Sequence, residues 1–465
     1  MRTGKFIFHF SLLTFDAMNM NLKQDIESVM KKEKDSRTGS LGYFLFALSL
    51  LYGSIVRTRE FFYQKKIFKS RKLPCKVISV GNLTVGGTGK TPMTIHLARR
   101  LSCQGYKTAV ISRGYGGRSE KSAAIVSDGH QILLQSDEAG DEPFMIARNL
   151  KHIPVIVGQN RVKAGWLAIE KFAPDVIVLD DAFQHLKLVR DIDLVLLDYH
   201  RPYGNKHLLP RGTLREPISA LARADAFILT RCDAVPGEDQ AALKKIIGNR
   251  PVFKTVHIPY ISELILSKAG LKPLSIAGLK PALQELSGAD FKPALKGRSS
   301  KAGLKPALQE LSGADFKPAL QGRSSKAGLK PALQELSGAD FKPALQGRSG
   351  KAGLKPALQG RKGFVFSGIA GNRDFRSTVE TLGCRIAGFS EFADHHRYSA
   401  ADIEAISDSA YKAKADILVT TEKDYVRISP ETRWTLDLAV VGAEISFGAD
   451  DEAFGQFIEK VRSEK

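Results

Sequence analysis

A glycine-rich run directly after a short apolar segment is the feature that most constrains this chain of 465 residues. Residues 76–80 predict a buried strand, and residues 81–91 follow with the sequence GNLTVGGTGKT. Glycines let backbone N–H groups turn inward around anionic oxygens, and a following helix directs its positive end at them. The pattern predicts a loop that binds nucleotide phosphates; the alternative is a glycine-rich turn with a chance GKT.

The chemistry of such loops assigns a role to several positions. Lys90 is expected to reach the β- and γ-phosphates, and the Thr91 hydroxyl is expected to hold Mg²⁺. Thr84 departs from the strict pattern, which has glycine at that position. The predicted nucleotide-binding residues are Thr84, Val85, Gly86, Gly87, Thr88, Gly89, Lys90 and Thr91.

An apolar strand over residues 176–179 ends in Asp180 and Asp181. Phosphate-loop enzymes place an acidic partner of Mg²⁺ at such a strand end, so these residues are candidate metal ligands. The alternative is that they form a solvated turn. His185 follows shortly after. It is a candidate for orienting water or substrate, although a lone histidine is more often structural.

Two further acidic positions carry candidate proton chemistry. Asp141 stands at the mouth of a predicted helix, where it complements the helix dipole or acts as a base toward an attacking hydroxyl. Asp394 and His395 pair an acid with a histidine that is able to reach across a cleft and polarise a carboxylate base. The sequence pattern leaves these alternatives open.

Short apolar runs alternate with amphipathic stretches between residues 76 and 235, which predicts a mostly parallel sheet with helices on both faces. After residue 362 a strand, a helix and a second strand predict a smaller α/β unit. The predicted strands are residues 76–80, 108–112, 153–157, 176–179, 194–197, 226–230, 363–367 and 415–420; the predicted helices include residues 92–104, 142–149 and 400–412.

A unit of 25 residues recurs three times over residues 276–350 and begins a fourth time at Lys351. Each copy has two Lys-Pro steps and few large apolar residues, so we expect a flexible insert rather than a solenoid. About half of the net charge of +20 lies in residues 268–360, and no aromatic-interleaved basic stripe accompanies it, which argues against nucleic-acid binding. The four cysteines are far apart, which disfavours a zinc site or a disulfide framework.

Residues 41–56 are uncharged and largely apolar, and a cluster of lysines and arginines follows up to Lys72. An apolar helix beside a cationic segment is typical of a monotopic anchor on an anionic membrane surface, and a buried core helix is the alternative. The predicted regions are an N-terminal extension (1–40), this helix region (41–72), a phosphate-loop kinase domain (73–267), the repeat insert (268–361) and a C-terminal α/β domain (362–465).

Seven segments, in order, resemble those of the tetraacyldisaccharide 4′-kinase family, the lipid A 4′-kinases. They cover most of the chain outside the insert and the N-terminus, and Thr84 is tolerated in that family's loop. The segments are SVGNLTVGGTGKTP, SRGYGG, GDEP, VLDDAFQH, LLPRGTLREP, FADHH and TTEKD.

The resemblance implies two α/β/α domains and transfer of the γ-phosphate of ATP, with Mg²⁺, to the 4′-hydroxyl of a tetraacylated glucosamine disaccharide 1-phosphate, which gives lipid IVA. It implies Asp141 as base, assisted by His395. The resemblance further implies a peripheral enzyme on the cytoplasmic face of the bacterial inner membrane, with no obligate protein partner. Residues on loops that shape the site or hold substrate would be Tyr115, Arg215 and Glu216.

Two other functions fit parts of the sequence. One is a phosphate-loop switch that hydrolyses nucleotide to drive a protein partner, and the other is a binding protein that acts through its repeats. A hydroxyl acceptor distinguishes the kinase from the switch, and deletion of the repeats tests the binding protein.

Overall fold

The computed structural model describes residues 39–232, 240–267 and 357–463, together with Ile26, Val29 and Met30. The predicted repeat insert lies outside the described residues up to residue 356, as does most of the N-terminal extension. In the described part, the chain forms two sheets flanked by helices, as the sequence predicts.

The larger sheet has eight strands in the order β3-β4-β2-β5-β1-β6-β7-β8, and every neighbouring pair is parallel except β3 with β4. All six strands predicted here are confirmed; β3 and β8 are too short to show a clear pattern. The elements are α1 (Gly39–Gln64), β1 (Lys76–Asn82), α2 (Lys90–Cys103), β2 (Thr108–Ser112), β3 (Ala124–Ser127), α3 (Ser136–Ala139), α4 (Asp141–Asn149), β4 (Val155–Val157), α5 (Arg161–Phe172), β5 (Val176–Asp180), β6 (Ile192–Asp198), a 3₁₀ helix (Ile218–Arg223), β7 (Ala226–Thr230), α6 (Gln240–Ile247) and β8 (Val252–Lys254).

The smaller sheet has five strands in the order β11-β10-β12-β13-β9, of which only β9 runs antiparallel to its neighbour. The predicted strands at 363–367 and 415–420 are confirmed within two residues, and the predicted helix at 400–412 is confirmed with the same bounds. The elements are β9 (Val256–Ile265), β10 (Lys362–Ser367), α7 (Asn372–Thr381), β11 (Arg385–Glu391), α8 (Ala400–Lys412), β12 (Ile417–Thr421), α9 (Glu422–Tyr425), β13 (Leu438–Ser446), a 3₁₀ helix (Gly448–Asp450) and α10 (Asp451–Ser463).

Two elements cross the boundaries that the sequence predicts between domains. Strand β9 precedes the repeats, yet it pairs with β13 over its whole length in the smaller sheet. Helix α10 is the last element, yet its Phe454 and Ile458 are buried in the core cluster of the larger sheet with Ile78 and Met93. The chain therefore passes twice between the two sheets, and the division into domains stays a prediction.

Helix α1 extends eight residues beyond the apolar run and docks on the larger sheet by polar contacts. Tyr52 Oη donates to the Arg215 carbonyl at 2.8 Å, Arg59 donates to the Gln184 carbonyl at 2.6 Å, and Glu60 pairs with Arg223. Large apolar side chains of the helix remain exposed, so the buried-core alternative is wrong. These exposed residues are Tyr43, Phe44, Phe46, Leu50, Leu51, Ile55 and Phe61.

Candidate active site

The glycine-rich loop joins the end of β1 to the start of α2. At the strand end, buried Asn82 donates from Nδ2 to the Thr88 hydroxyl at 2.8 Å and closes the loop on itself. Gly86 and Gly89 have φ angles of 123° and 83°, a region that favours glycine. A Cβ on Gly89 would lie 2.5 Å from the His257 ring of β9, so the backbone angle favours glycine there and a side chain would have to displace that ring.

Thr84 fits the loop because its backbone is extended. It forms an isolated antiparallel bridge with Leu214, and the next residue, Val85, donates its N–H to the Thr213 carbonyl at 2.8 Å. Arg215 in turn donates its backbone N–H to the Leu83 carbonyl at 2.9 Å. A short segment before residue 216 therefore lies along the loop, and an extended position next to it tolerates a side chain.

Lys90 and Thr91 open helix α2, as the motif predicts, and both are largely buried. Lys90 Nζ lies 3.8 Å from Asp181 Oδ1. Burial lowers the pKa of Lys90, and the charge of Asp181 opposes that effect. The lysine is thus held beside a carboxylate at the N-terminus of a helix, where an anion is favoured.

The adjacent carboxylates of Asp180 and Asp181 enter different surroundings. Asp180, 1 % exposed, accepts from the Thr94 hydroxyl at 3.0 Å and the Ser112 hydroxyl at 3.1 Å. Burial, with the charges of Glu142 and Asp181, raises the pKa of Asp180 to about 7. A carboxyl whose ionisation is this unfavourable without a nearby cation is suited to bind a metal ion.

Asp181 turns away from Asp180 because its φ angle is 46°. Arg215 Nη1 donates to both of its oxygens, at 2.7 and 2.9 Å. Burial acts to raise the pKa of Asp181, but the charges of Arg215 and Lys90 hold it well below the usual range. Asp181 is therefore ionised and fixed between two cations.

The donor set fits Mg²⁺ bound jointly by protein and phosphates. Within the described ranges, no group of three or more His, Cys, Asp or Glu side chains is placed to hold a metal ion by itself. Mg²⁺ prefers oxygen ligands and often uses one or two carboxylates plus substrate phosphates. The Thr91 hydroxyl and the Asp180 carboxylate supply oxygens of this type at the glycine-rich loop.

Asp141 is the first residue of α4, at a point where the segment before α4 packs closely against the segment after β2. Gly140, before it, has a φ angle of 90°, and a Cβ on Gly117 would lie 2.5 Å from the Gly140 nitrogen. This contact explains Gly117, the last glycine of the SRGYGG segment, which also carries Tyr115. The Tyr115 ring lies edge-on to the His395 ring, with centroids 6.5 Å apart.

The structure brings Asp141 and His395 together, although they come from different sheets' loops. His395 Nδ1 lies 3.6 Å from Asp141 Oδ2, and Arg427 donates from Nε to the same oxygen at 2.7 Å. Burial acts to raise the pKa of Asp141, but these two partners lower it below the usual value. Asp394 Oδ1 accepts the His395 backbone N–H at 3.0 Å and lies 4.0 Å from its Nε2.

The same architecture and segments are found in known proteins. The family model described as tetraacyldisaccharide-1-P 4′-kinase matches residues 41–279 and 308–463. The chain belongs to this family. It is therefore a kinase of the family that phosphorylates the 4′ position of the lipid A precursor with ATP.

Relatives of this kinase match it over most of their length. The tetraacyldisaccharide 4′-kinase of Desulfatibacillum aliphaticivorans is 36% identical over 92% of this chain and 95% of its own. That of Syntrophus aciditrophicus is 37% identical over 86% and 88%. The crystal structure of apo-form LpxK from Aquifex aeolicus in complex with ATP is 28% identical, covers 90% of this chain and 99% of its own, and has a TM-score of 0.59.

Among the predicted substrate-positioning residues of the kinase, Glu216 lies in a structural ion pair and His185 has a buried ring nitrogen. Glu216 is buried and pairs with Arg223, which also binds Glu60 of α1. The Nε2 atom of His185 is buried without a hydrogen-bond partner among the described residues, and burial lowers the pKa of this histidine well below its usual value. Arg215, by contrast, lies directly on Asp181. The substrate-positioning roles of all three stay predictions.

Several residues of the site have no motif that predicts them. Thr94 lies one helical turn after Lys90, and Ser112 ends β2. Their contacts with Asp180 can be recognised only once β1, β2 and β5 are placed side by side in the sheet. Arg427 follows the TTEKD segment and lies three residues after Asp424, a spacing that puts the two on one helical turn. That spacing is the one feature of the sequence that points to Arg427.

Proposed function

We propose that the kinase transfers the γ-phosphoryl group of ATP to the 4′-hydroxyl of a tetraacyldisaccharide 1-phosphate and so forms lipid IVA. The observation that carries this proposal is the closeness of the two halves of the site. The segment after β2 joins the two halves: the Ser112 hydroxyl donates to Asp180 at 3.1 Å, and the ring of Tyr115, three residues later, lies edge-on to the His395 ring with centroids 6.5 Å apart. A base at Asp141 would therefore lie near phosphates held by the loop.

The glycine-rich loop would hold the phosphates of ATP. Its backbone N–H groups and the N-terminus of α2 would face the β- and γ-oxygens, and Lys90 would balance their charge. Asp181 and Arg215 would keep Lys90 and the neighbouring strand end in place. Phosphoryl transfer needs positioning and charge neutralisation more than covalent chemistry, and buried cations suit that need.

Thr91 and Asp180 would hold Mg²⁺ together with the phosphates. When bound, the ion supplies neutralisation of charge on the transferred group. The Thr94 and Ser112 hydroxyls would orient Asp180, and the preference of this buried carboxyl for its neutral form would make ionisation depend on a cation. Asp181 is already paired with Arg215 and Lys90. We therefore propose that it positions Lys90 in addition to lying beside the Mg²⁺ ion.

Asp141 would accept the proton of the sugar hydroxyl. Its pKa is held below the usual range, so the carboxylate is ionised at neutral pH and available as a base. His395, supported by Asp394, would stabilise and relay that proton. Tyr115 lies on the same side of the cluster and would contact the disaccharide.

Helix α1 would place the enzyme on the cytoplasmic face of the inner membrane as a peripheral protein. In the described part of the chain, it is the one helix that is long and apolar enough to cross a membrane by length and composition. Its exposed aromatic and aliphatic side chains are followed by a basic segment, which suits insertion into one leaflet. The acylated substrate lies in such a surface, and no obligate protein partner or nucleic acid is proposed.

The test uses the full chain, Mg²⁺, γ-labelled ATP and the tetraacyldisaccharide 1-phosphate in detergent micelles. We expect label in a lipid product whose phosphate is on the 4′-oxygen, and no transfer when Mg²⁺ is chelated. Label released only as inorganic phosphate, at a rate that does not respond to the lipid, would instead indicate a nucleotide-hydrolysing switch. A second family member assayed in parallel controls for substrate quality.

A further inference from the structure

Arg427 uses every nitrogen of its guanidinium inside the cluster of Asp141 and His395. Its side chain is 2 % exposed. Nε donates to Asp141 Oδ2 at 2.7 Å, and Nη1 donates to the Gly368 carbonyl at 3.0 Å and to Asp424 Oδ1 at 3.3 Å. Nη2 lies 3.2 Å from His395 Nδ1.

The contact between Arg427 and His395 fixes the direction of one hydrogen bond. A guanidinium has only donors, and it stays protonated in proteins. His395 Nδ1 must therefore present its lone pair, and the neutral ring carries its proton on Nε2. Asp394 Oδ1, 4.0 Å from that Nε2, supports the same tautomer.

Arg427 is anchored independently of the two groups it contacts. Asp424, fully buried, accepts from the Gly368 N–H at 3.0 Å and from the Thr421 hydroxyl at 2.6 Å, and this leaves it in position to bind Arg427. The Gly368 carbonyl also accepts the backbone N–H of His395 at 3.2 Å. One rigid group of the smaller sheet thus sets both the arginine and the histidine.

We propose that Arg427 is a positioning residue that holds the Asp141 carboxylate and keeps His395 Nδ1 unprotonated, ready to receive a proton. The inference rests on the proposed function, in which Asp141 is the base. The hydroxyl oxygen forms a bond to the γ-phosphorus while the bond to the β,γ-bridging oxygen breaks and its electron pair leaves with ADP. The hydroxyl proton passes to Asp141 and then to His395 Nδ1.

Proton arrival changes the contacts of the cluster. An Nδ1–H group and the guanidinium are both donors, so their contact breaks and Nδ1–H turns to Asp141 Oδ2, 3.6 Å away. His395 is about half exposed and is able to return the proton to solvent. Two further carboxylates contact the cluster among the described residues: Asp394 lies 4.0 Å from His395 Nε2, and Asp424 lies 3.3 Å from Arg427 Nη1.

The direct test is the tautomer of His395 in the full chain. Histidine labelled with ¹⁵N is observed by long-range proton–nitrogen NMR near pH 8, and the His395→Gln variant assigns the signal. We expect the Nε2–H form in the wild type and a shift toward Nδ1–H, donating to Asp141, in Arg427→Gln. A wild-type ring that carries its proton on Nδ1 would overturn the proposal without any variant.

Kinetics separate positioning from folding. Arg427→Gln is expected to lower kcat about 100-fold with KM for ATP within about twofold, since general-base catalysis supplies roughly that factor. Arg427→Lys keeps a charge and one donor and should recover part of kcat. The matched control is Arg376→Gln on α7, an exposed arginine paired only with Glu380 in the described contacts, and it should retain wild-type kinetics.

The two hypotheses fail in different ways. Full activity of Asp141→Asn would refute the proposed base, and the NMR result would still decide the action of Arg427 on His395. A folded Arg427→Gln variant with the native tautomer and wild-type kcat would refute the positioning role while the kinase function stands. If Arg427→Gln does not fold, the wild-type tautomer and the kinetics of Arg427→Lys decide, and wild-type kcat in the lysine variant would then count against the proposal.

Discussion

Neighbouring carboxylates acquire opposite properties in this site because the backbone turns between them. Asp180 ends a strand and enters a buried region beside hydroxyl donors, whereas Asp181 has a positive φ angle and meets Arg215 and Lys90. Burial raises the pKa of the first, and the two cations hold the pKa of the second low. The carboxyl of Asp180 therefore favours its neutral form, whereas the carboxylate of Asp181 is paired with two cations.

Replacing Lys90 by alanine should remove most activity and leave the fold intact. The variant takes away the cation that would face the β- and γ-phosphates, and we expect kcat/KM to fall at least about 100-fold. The labelled-ATP assay measures the loss, and the melting temperature checks folding. Lys163→Ala, an exposed lysine on α5, is the matched control. Wild-type rates in Lys90→Ala would remove the phosphate role.

Asp141→Asn should lose about 1000-fold in kcat, because an amide does not accept the hydroxyl proton. The pKa of Asp141 is below its usual value, so the wild-type carboxylate is fully ionised above about pH 6. The ratio of wild-type to variant kcat should therefore be the same from pH 6 to pH 9. A ratio that rises steeply with pH in this window would show that the Asp141 carboxyl titrates there, contrary to its lowered pKa, and wild-type kcat in the variant would show that another group is the base.

The residues of the site fall into two groups: those that a short sequence motif predicts and those whose roles depend on contacts between distant parts of the chain. The sequence predicts Lys90, Thr91, Asp180 and Asp141 because each stands at a strand or helix end that its own short motif defines. Arg427 was not predicted, because its role depends on contacts with a carboxylate far away in the sequence. Glu216 was predicted to hold substrate, but a buried pair with Arg223 occupies it, and no local pattern distinguishes these two situations.

At the scale of elements, the hydrophobic pattern predicts the central strands and helices, but it does not predict which elements they pair with or pack against. Strand β9 carries a pattern that fits any sheet edge, and only its pairing with β13 assigns it to the smaller sheet. Helix α1 shows the same limit: composition predicts an apolar helix, but the exposed face and the contact of Tyr52 with the Arg215 carbonyl require the packed structure.

The N-terminus of α8 offers a test of stability at the element scale. Ser399 and Asp402 form a capping box, and donation from the Ser399 hydroxyl and N–H lowers the pKa of Asp402. Asp402→Ala should destabilise the protein by about 1 kcal/mol at pH 7. The contribution exists above the ordinary aspartate pKa of about 4 and is lost as the pH falls through the lower folded-state value. Urea unfolding of both proteins at pH 7 and pH 3 measures it; an equal difference at both values contradicts the cap.

The exposed apolar face of α1 should control binding to membranes. Leu50 and Leu51 are more than half exposed. Replacing both by serine should weaken binding to vesicles with anionic lipids by about 100-fold if each leucine contributes roughly 1.5 kcal/mol on insertion. Tyr411→Ser on α8 is the control, since Tyr411 is the most exposed large apolar side chain of the described residues. Vesicle co-sedimentation at two salt concentrations makes the comparison. Unchanged binding of the double variant would exclude α1 as the anchor.

At the scale of the whole molecule, ion pairs that join the two sheets gather around the site. Arg427 binds Asp141 at 2.7 Å, and Arg231 binds both the Gly87 carbonyl at 2.8 Å and Asp374 of α7 at 3.2 Å. Behind them α10 packs into the core of the larger sheet. The arrangement holds the glycine-rich loop and the cluster of Asp141 and His395 in one frame.

Replacing residues 268–356 with a short linker is the test at this scale. The end of β9 and the start of β10 lie at the same level of the smaller sheet, because Ile265, Leu438, Leu418 and Phe364 follow one another in register. Three strand spacings separate them, about 14 Å. An eight-residue Gly/Ser linker has an average reach of about 16 Å and spans this gap.

The shortened protein should keep kcat and both KM values within about twofold and should not melt earlier. If the insert is flexible, as the sequence predicts, shortening it about tenfold lowers the entropy cost of closing the connection by about 2 kcal/mol. The labelled-ATP assay and thermal unfolding measure the two properties, and the same deletion combined with Lys90→Ala gives the background rate. A folded deletion protein with a large loss of kcat would mean that the repeats act in catalysis, because the linker preserves the connection between β9 and β10 on which the smaller sheet depends.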